Sequence, residues 1–164
     1  MNKFLNYFTT AALILALAIF ASCGSGGDDP VEEIDPCEAL ATTIVKTATV
    51  SKVTSPQSVE TATWSGFTLT FTGDKDGGSF TTNVQSIADA QNDQSLLNIW
   101  AANGTWSFVT CTNAKVLIKS AQLSDREASL AASSTKMTLT FDVPESDTGR
   151  TMGIPGTWVF EFSL

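Results

Sequence analysis

Apolar and polar positions alternate with a period of two in three stretches of the chain. Phe67, Leu69 and Phe71 alternate with Thr68, Thr70 and Thr72, and Met137, Leu139 and Phe141 alternate with Thr138 and Thr140. Trp158, Phe160 and Phe162 alternate with Thr157, Val159, Glu161 and Ser163. Successive side chains of a strand point to opposite faces, so this pattern predicts strands with an aromatic inner face and a Thr-rich outer one. Weaker candidates at 42–53, 79–84, 105–110 and 115–121 bring the expected set to about seven or eight strands. Turn chemistry separates them, as in Gly73-Asp74-Lys75-Asp76-Gly77-Gly78, Asn103-Gly104 and Glu145-Ser146-Asp147-Thr148-Gly149. Helix signals are thin. Residues 86–98 read as a long loop with at most a helical turn, and Asp125-Arg126-Glu127-Ala128 reads as a short turn. The expected fold is all-β, an antiparallel sandwich or a small barrel rather than a parallel α/β sheet.

An echo runs through the pattern. Thr68-Leu69-Thr70-Phe71 is followed by Gly104-Thr105-Trp106-Ser107-Phe108, and Thr138-Leu139-Thr140-Phe141 by Gly156-Thr157-Trp158-Val159-Phe160. Duplication would give two units packed face to face. Convergence of short Thr/Phe strands is the alternative.

The first residues do not belong to this pattern. Lys3 precedes an unbroken apolar run from Ala11 to Ala21. The run is too short to cross about 30 Å of hydrocarbon, and it matches the apolar core of a secretory signal. At its end, Phe20-Ala21-Ser22-Cys23 resembles the lipobox of bacterial lipoproteins. The resemblance implies a signal peptide over 1–22, cleavage before Cys23, and acylation of the Cys23 sulfur and of the new amino group. Several acyl chains make a durable membrane anchor, at about 0.8 kcal/mol per buried methylene.

Charge separates the next segment from the rest. Residues 23–38 carry six acids and no base, whereas 39–164 carry eleven acids against eight bases. The expected organisation is a signal peptide (1–22), a flexible acidic tether (23–38) and a β domain (39–164). Acids downstream of a lipidated Cys resemble surface-export signals of Bacteroidetes-type lipoproteins, and a solvated spacer is the alternative. Trp64-Ser65-Gly66-Phe67-Thr68-Leu69-Thr70-Phe71, with Ile99-Trp100 ahead of Gly104-Thr105-Trp106-Ser107-Phe108, is similar to small β-rich, lipocalin-like lipoproteins of the same bacteria. That resemblance implies an outer-membrane location, on the cell surface or the periplasmic face. It transfers no catalytic residue.

Cys37 and Cys111 are the cysteines left once Cys23 is acylated. Past the inner membrane the compartment is oxidising, so the even pair predicts a disulfide.

Composition narrows the chemistry. The chain has no His, which removes Ser/His/Asp and Cys/His catalysis and imidazole metal sites. A net charge of −8 does not suit a nucleic-acid partner. Asp74-Lys75-Asp76-Gly77 starts like a calcium loop, but Gln85 stands where that loop needs its Glu, so a hairpin turn is the better reading. Asp142, Glu145, Asp147 and Glu161 are candidate carboxylates for a hydrolase, expected in turns or at outward positions. Arg126 and Arg150, the only arginines, could each anchor an anionic ligand through a planar fork, but surface pairing with Asp125 or Asp147 is the expectation. Trp106 and Trp158 read as core and Trp64 as packed at a strand start. Trp100, at the exit of the long segment 85–102, is the candidate ligand-facing ring, with a glycan as the ligand class. The function expected is a lipid-anchored, non-enzymatic binding or structural accessory of the envelope. Its partners would be the membrane and an envelope protein or glycan; no cofactor or metal is implied. Glycan capture for polysaccharide uptake is one alternative and a carboxylate-dependent hydrolase another.

Overall fold

The computed structural model describes residues 34–145 and 155–164. The expected signal peptide, Cys23 and the tether as far as residue 33 lie outside the described residues, as do Asp147 and Arg150.

Eight strands form a closed antiparallel barrel: β1 (Thr47–Thr54), β2 (Thr68–Asp74), β3 (Gly77–Thr82), β4 (Asn103–Thr110), β5 (Lys115–Lys119), β6 (Arg126–Ala132), β7 (Lys136–Val143) and β8 (Gly156–Ser163). Each strand pairs with the next. β8 closes the ring on β1 through Val50↔Phe162 and Val53↔Phe160. Of the two architectures expected, the barrel is the one adopted, and it leaves no free sheet edge. The period-two pattern sets the faces. Leu139 and Phe160 pair directly and both point inward, while Thr140 pairs with Val159 on the less buried side. Outside, facing hydroxyls bond to each other, Thr47 to Thr70 at 2.8 Å and Thr72 to Ser79 at 2.7 Å. Bulges between Val50 and Lys52 in β1 and between Phe108 and Thr110 in β4 add curvature.

Three expectations need correcting. The candidate strand at 42–53 begins as helix α1 (Pro36–Ile44), and β1 starts at Thr47. Asp35 caps α1 by accepting the Cys37 amide at 2.8 Å, and Pro36 takes the first helical position, where its missing N–H costs nothing. The fold therefore begins within the stretch expected as tether. The turn expected at Asp125–Ala128 is the start of β6, whose Arg126, Ala128 and Leu130 point inward. Ala and Ser are weak strand formers, and a charged inward residue hides the alternation. The echo is not two units packed face to face. β3 separates β2 from β4, whereas β7 and β8 are direct neighbours in the same ring.

The two ends of the barrel differ. At one, the hairpin end, short turns lie at 75–76, 111–114 and 133–135, and the chain enters through α1. At the other, the loop end, the described connections run over 55–67, 83–102 and 120–125.

Candidate functional sites at the two barrel ends

At the loop end, the segment expected as a free loop is folded into the core. It forms α2 (Val84–Gln91) and a 3-10 turn (Gln94–Asn98). Val84, Ile87 and Ala88 fall on one face of α2 and are buried. Asn92, at φ 52°, reverses the chain, and Asp93 caps the 3-10 turn by accepting the Ser95 amide at 3.0 Å. Asn83 ties two connections together, accepting from the Thr68 amide at 2.8 Å and donating to the Gly66 carbonyl at 2.9 Å.

This folding buries Trp100. The ring is only 2% exposed and stands edge-on to Phe141 and Phe160, with centroids 5.2 and 5.6 Å away. The expected ligand-facing Trp100 is thus corrected to a core residue. The 3-10 turn carries the ring inward, where edge-to-face packing rewards it. Trp64, from the 55–67 connection, enters the same cluster. It is fully buried, with Phe160 at 5.0 Å and Phe67 at 5.1 Å. Two tryptophans from two loops plug this end, so the interior is filled by the chain itself.

Arg126 is the second correction. It is 8% exposed and does not pair with Asp125, which instead meets Lys119 at 3.1 Å. Its guanidinium donates to the carbonyls of Ile99 and, at 2.6 Å, of Asn98, closing the end of the 3-10 turn. It also lies 5.4 Å over the Phe141 ring. Burial lowers its pKa to about 10, so it stays cationic at neutral pH. Beside it is a narrow cleft with an internal volume of about 10 Å³, walled by Phe80, Trp100, Ile118 and Phe141 and rimmed by Ser120 and Ser124.

At the hairpin end, Cys37 and Cys111 form a disulfide, with Cα atoms 5.1 Å apart and a separation of 74 positions in sequence. It joins the first turn of α1 to the β4–β5 hairpin. Ala41 and Ile44 bury the inner face of α1. Between α1 and the β2–β3 hairpin runs an open groove of about 400 Å³, lined by Glu38, Thr42, Val45 and residues 73–76. Asp74-Lys75-Asp76-Gly77 is the hairpin turn expected of it, with the Asp76 amide bonded to the Asp74 carboxylate at 2.9 Å. The hydrogen bond from Lys75 to Asp76 raises the Lys75 pKa. Among the described residues, no three His, Cys, Asp or Glu side chains gather as metal ligands would.

The described hydrolase candidates, Asp142, Glu145 and Glu161, line neither the cleft beside Arg126 nor the groove beside α1. Asp142 accepts from Thr157 Oγ1 at 2.5 Å on the outer face, Glu145 is exposed, and Glu161 pairs with Lys52 at 3.2 Å. No described carboxylate is buried. No described helix is long and apolar enough to cross a membrane. Compared with protein-family models, curated proteins and solved structures, the chain gives no match.

Proposed function

We propose that the chain is a lipid-anchored envelope protein, with a non-enzymatic barrel held outside the inner membrane as a binding or structural accessory. The disulfide carries this reading. Cys37 and Cys111 satisfy each other, as suits an oxidising compartment, and leave one odd cysteine in the sequence. That odd residue is Cys23, at the one position where small residues and a preceding apolar run suit acylation. The filled interior suits a structural accessory better than a binder that encloses its ligand inside the barrel. The glycan alternative relied on an exposed Trp100, and the buried ring withdraws its support.

The test is metabolic labelling with an alkyne fatty acid in a bacterial host, followed by membrane fractionation. The wild-type chain should carry label and sediment with the outer membrane. Cys23→Ala should carry none. Label persisting on Cys23→Ala would overturn the reading.

A further inference from the structure

We propose that the cleft beside Arg126 is a binding site for a single small monovalent anion, of which a halide is the simplest. The inference is independent of how the chain is anchored.

It starts from a charge without a counter-charge. Arg126 is more than nine-tenths buried, yet the ion pairs among the described residues join Lys52 to Glu161, Lys75 to Asp76, Lys115 to Glu127 and Lys119 to Asp125. The partners of its terminal nitrogens are neutral carbonyls. A buried charge is costly unless it is paired. The cation–π contact with Phe141 offsets part of that cost, and burial alone is what depresses the Arg126 pKa.

Two donors are also unused. Arg126 Nε and Trp100 Nε1 are both buried without a hydrogen-bond partner, and both side chains line the cleft. Buried polar groups normally have partners, so two unused donors on residues that line one cleft call for an acceptor; Trp64 Nε1, also buried without a partner, does not line it. Guanidinium and indole N–H groups donate only. An anion answers both the donors and the charge.

Size and wall chemistry select the anion. About 10 Å³ holds roughly one water-sized particle. Chloride and bromide, somewhat larger than water, would need the cleft walls to give slightly, and tetrahedral oxyanions would need them to give far more. Apolar walls of Phe80, Ile118 and Phe141 would strip hydration, which a weakly hydrated monovalent ion tolerates better than a divalent one. Arg126 already holds the end of the 3-10 turn, so the bound anion would fasten the loop-end segment to β6.

A ligand that binds only the folded state raises its stability by mass action. The test is thermal unfolding of the oxidised barrel in sodium chloride, bromide or gluconate at matched ionic strength. In the wild type, raising chloride or bromide from 1 to 100 mM should lift the melting temperature by about 6–10 °C over gluconate, for a dissociation constant of about 1 mM. Arg126→Met should abolish that difference. Should Arg126→Met fail to fold, Trp100→Phe keeps the ring, loses one donor, and should weaken the halide dependence several-fold. Crystals grown in bromide should give an anomalous peak in hydrogen-bonding range of Arg126 Nε. Equal melting temperatures in halide and gluconate, or a bromide-free cleft, would overturn the proposal.

Discussion

The barrel's two ends solve the same closure problem by different means. At the hairpin end the turns are short, and one covalent bond joins the entering helix α1 to the β4–β5 hairpin. At the loop end the connections are long, and they close the barrel by inserting their own side chains. Trp64, Leu96 and Trp100 enter from loops, and Asn83 and Arg126 bond loop backbone to loop and strand. Length at the loop end therefore serves packing. A long connection in a compact β domain suggests a recognition loop, but here the extra residues fold into a helical plug. The hairpin end depends on redox state, and the loop end depends on shape.

The largest expected effect tests the plug. Trp100→Ala should cost about 3–5 kcal/mol by the cavity it leaves among Phe67, Phe141 and Phe160. Denaturant titration would measure it, and a loss below about 1 kcal/mol would mean that the loop end is not held by this ring.

Reduction of Cys37–Cys111 comes next. It should cost about 2–4 kcal/mol by releasing a 74-position closure from the unfolded chain. Native-state hydrogen exchange sharpens the contrast. Amides of Ala41 and Ile44 in α1 should lose protection first, while those of Ile87 and Ala88 in α2 keep theirs. Equal loss at both ends would erase the distinction.

The smallest effect separates cap from crosslink. Asp35→Ala removes the acceptor for the Cys37 amide and should cost about 0.5–1 kcal/mol in the oxidised protein. In the reduced protein the cost should differ measurably, because cap and disulfide hold the same helical turn. Additive losses would mean that α1 is fixed by its apolar face alone.

What was legible in the chain was the period-two inner face. Phe67 to Phe71, Met137 to Phe141 and Trp158 to Phe162 placed β2, β7 and β8, because aromatic and β-branched residues favour a half-buried pleated surface. Closure into a barrel was not legible, since pairing of β1 with β8 is a long-range choice that no local pattern records. Strand β6 was hidden by Arg126 at an inward position and by its small residues. Two helices left signals that period-two reading passes over. Val84, Ile87 and Ala88 stand at the i, i+3, i+4 spacing of a helix face. Asp35-Pro36 followed by Glu38 is a start signal of cap, first-turn Pro and first-turn acid. Trp100 was misplaced for a related reason. A 3-10 turn directs its flanking residue by backbone geometry, which composition does not encode. The pairing of Cys37 with Cys111 was legible from parity and expected compartment, without geometry.

The disulfide also sets how the barrel would carry mechanical load. Helix α1 and strands β1 to β4 all lie inside the covalent loop between Cys37 and Cys111. A pull arriving from upstream of Cys37 passes straight to Cys111 and bypasses that loop. Unravelling under tension is then confined to the chain beyond Cys111, while the 74-position loop, about 250 Å if drawn out, stays locked at 5.1 Å. The barrel would yield from β5 onward and keep its first half as a covalently closed reserve.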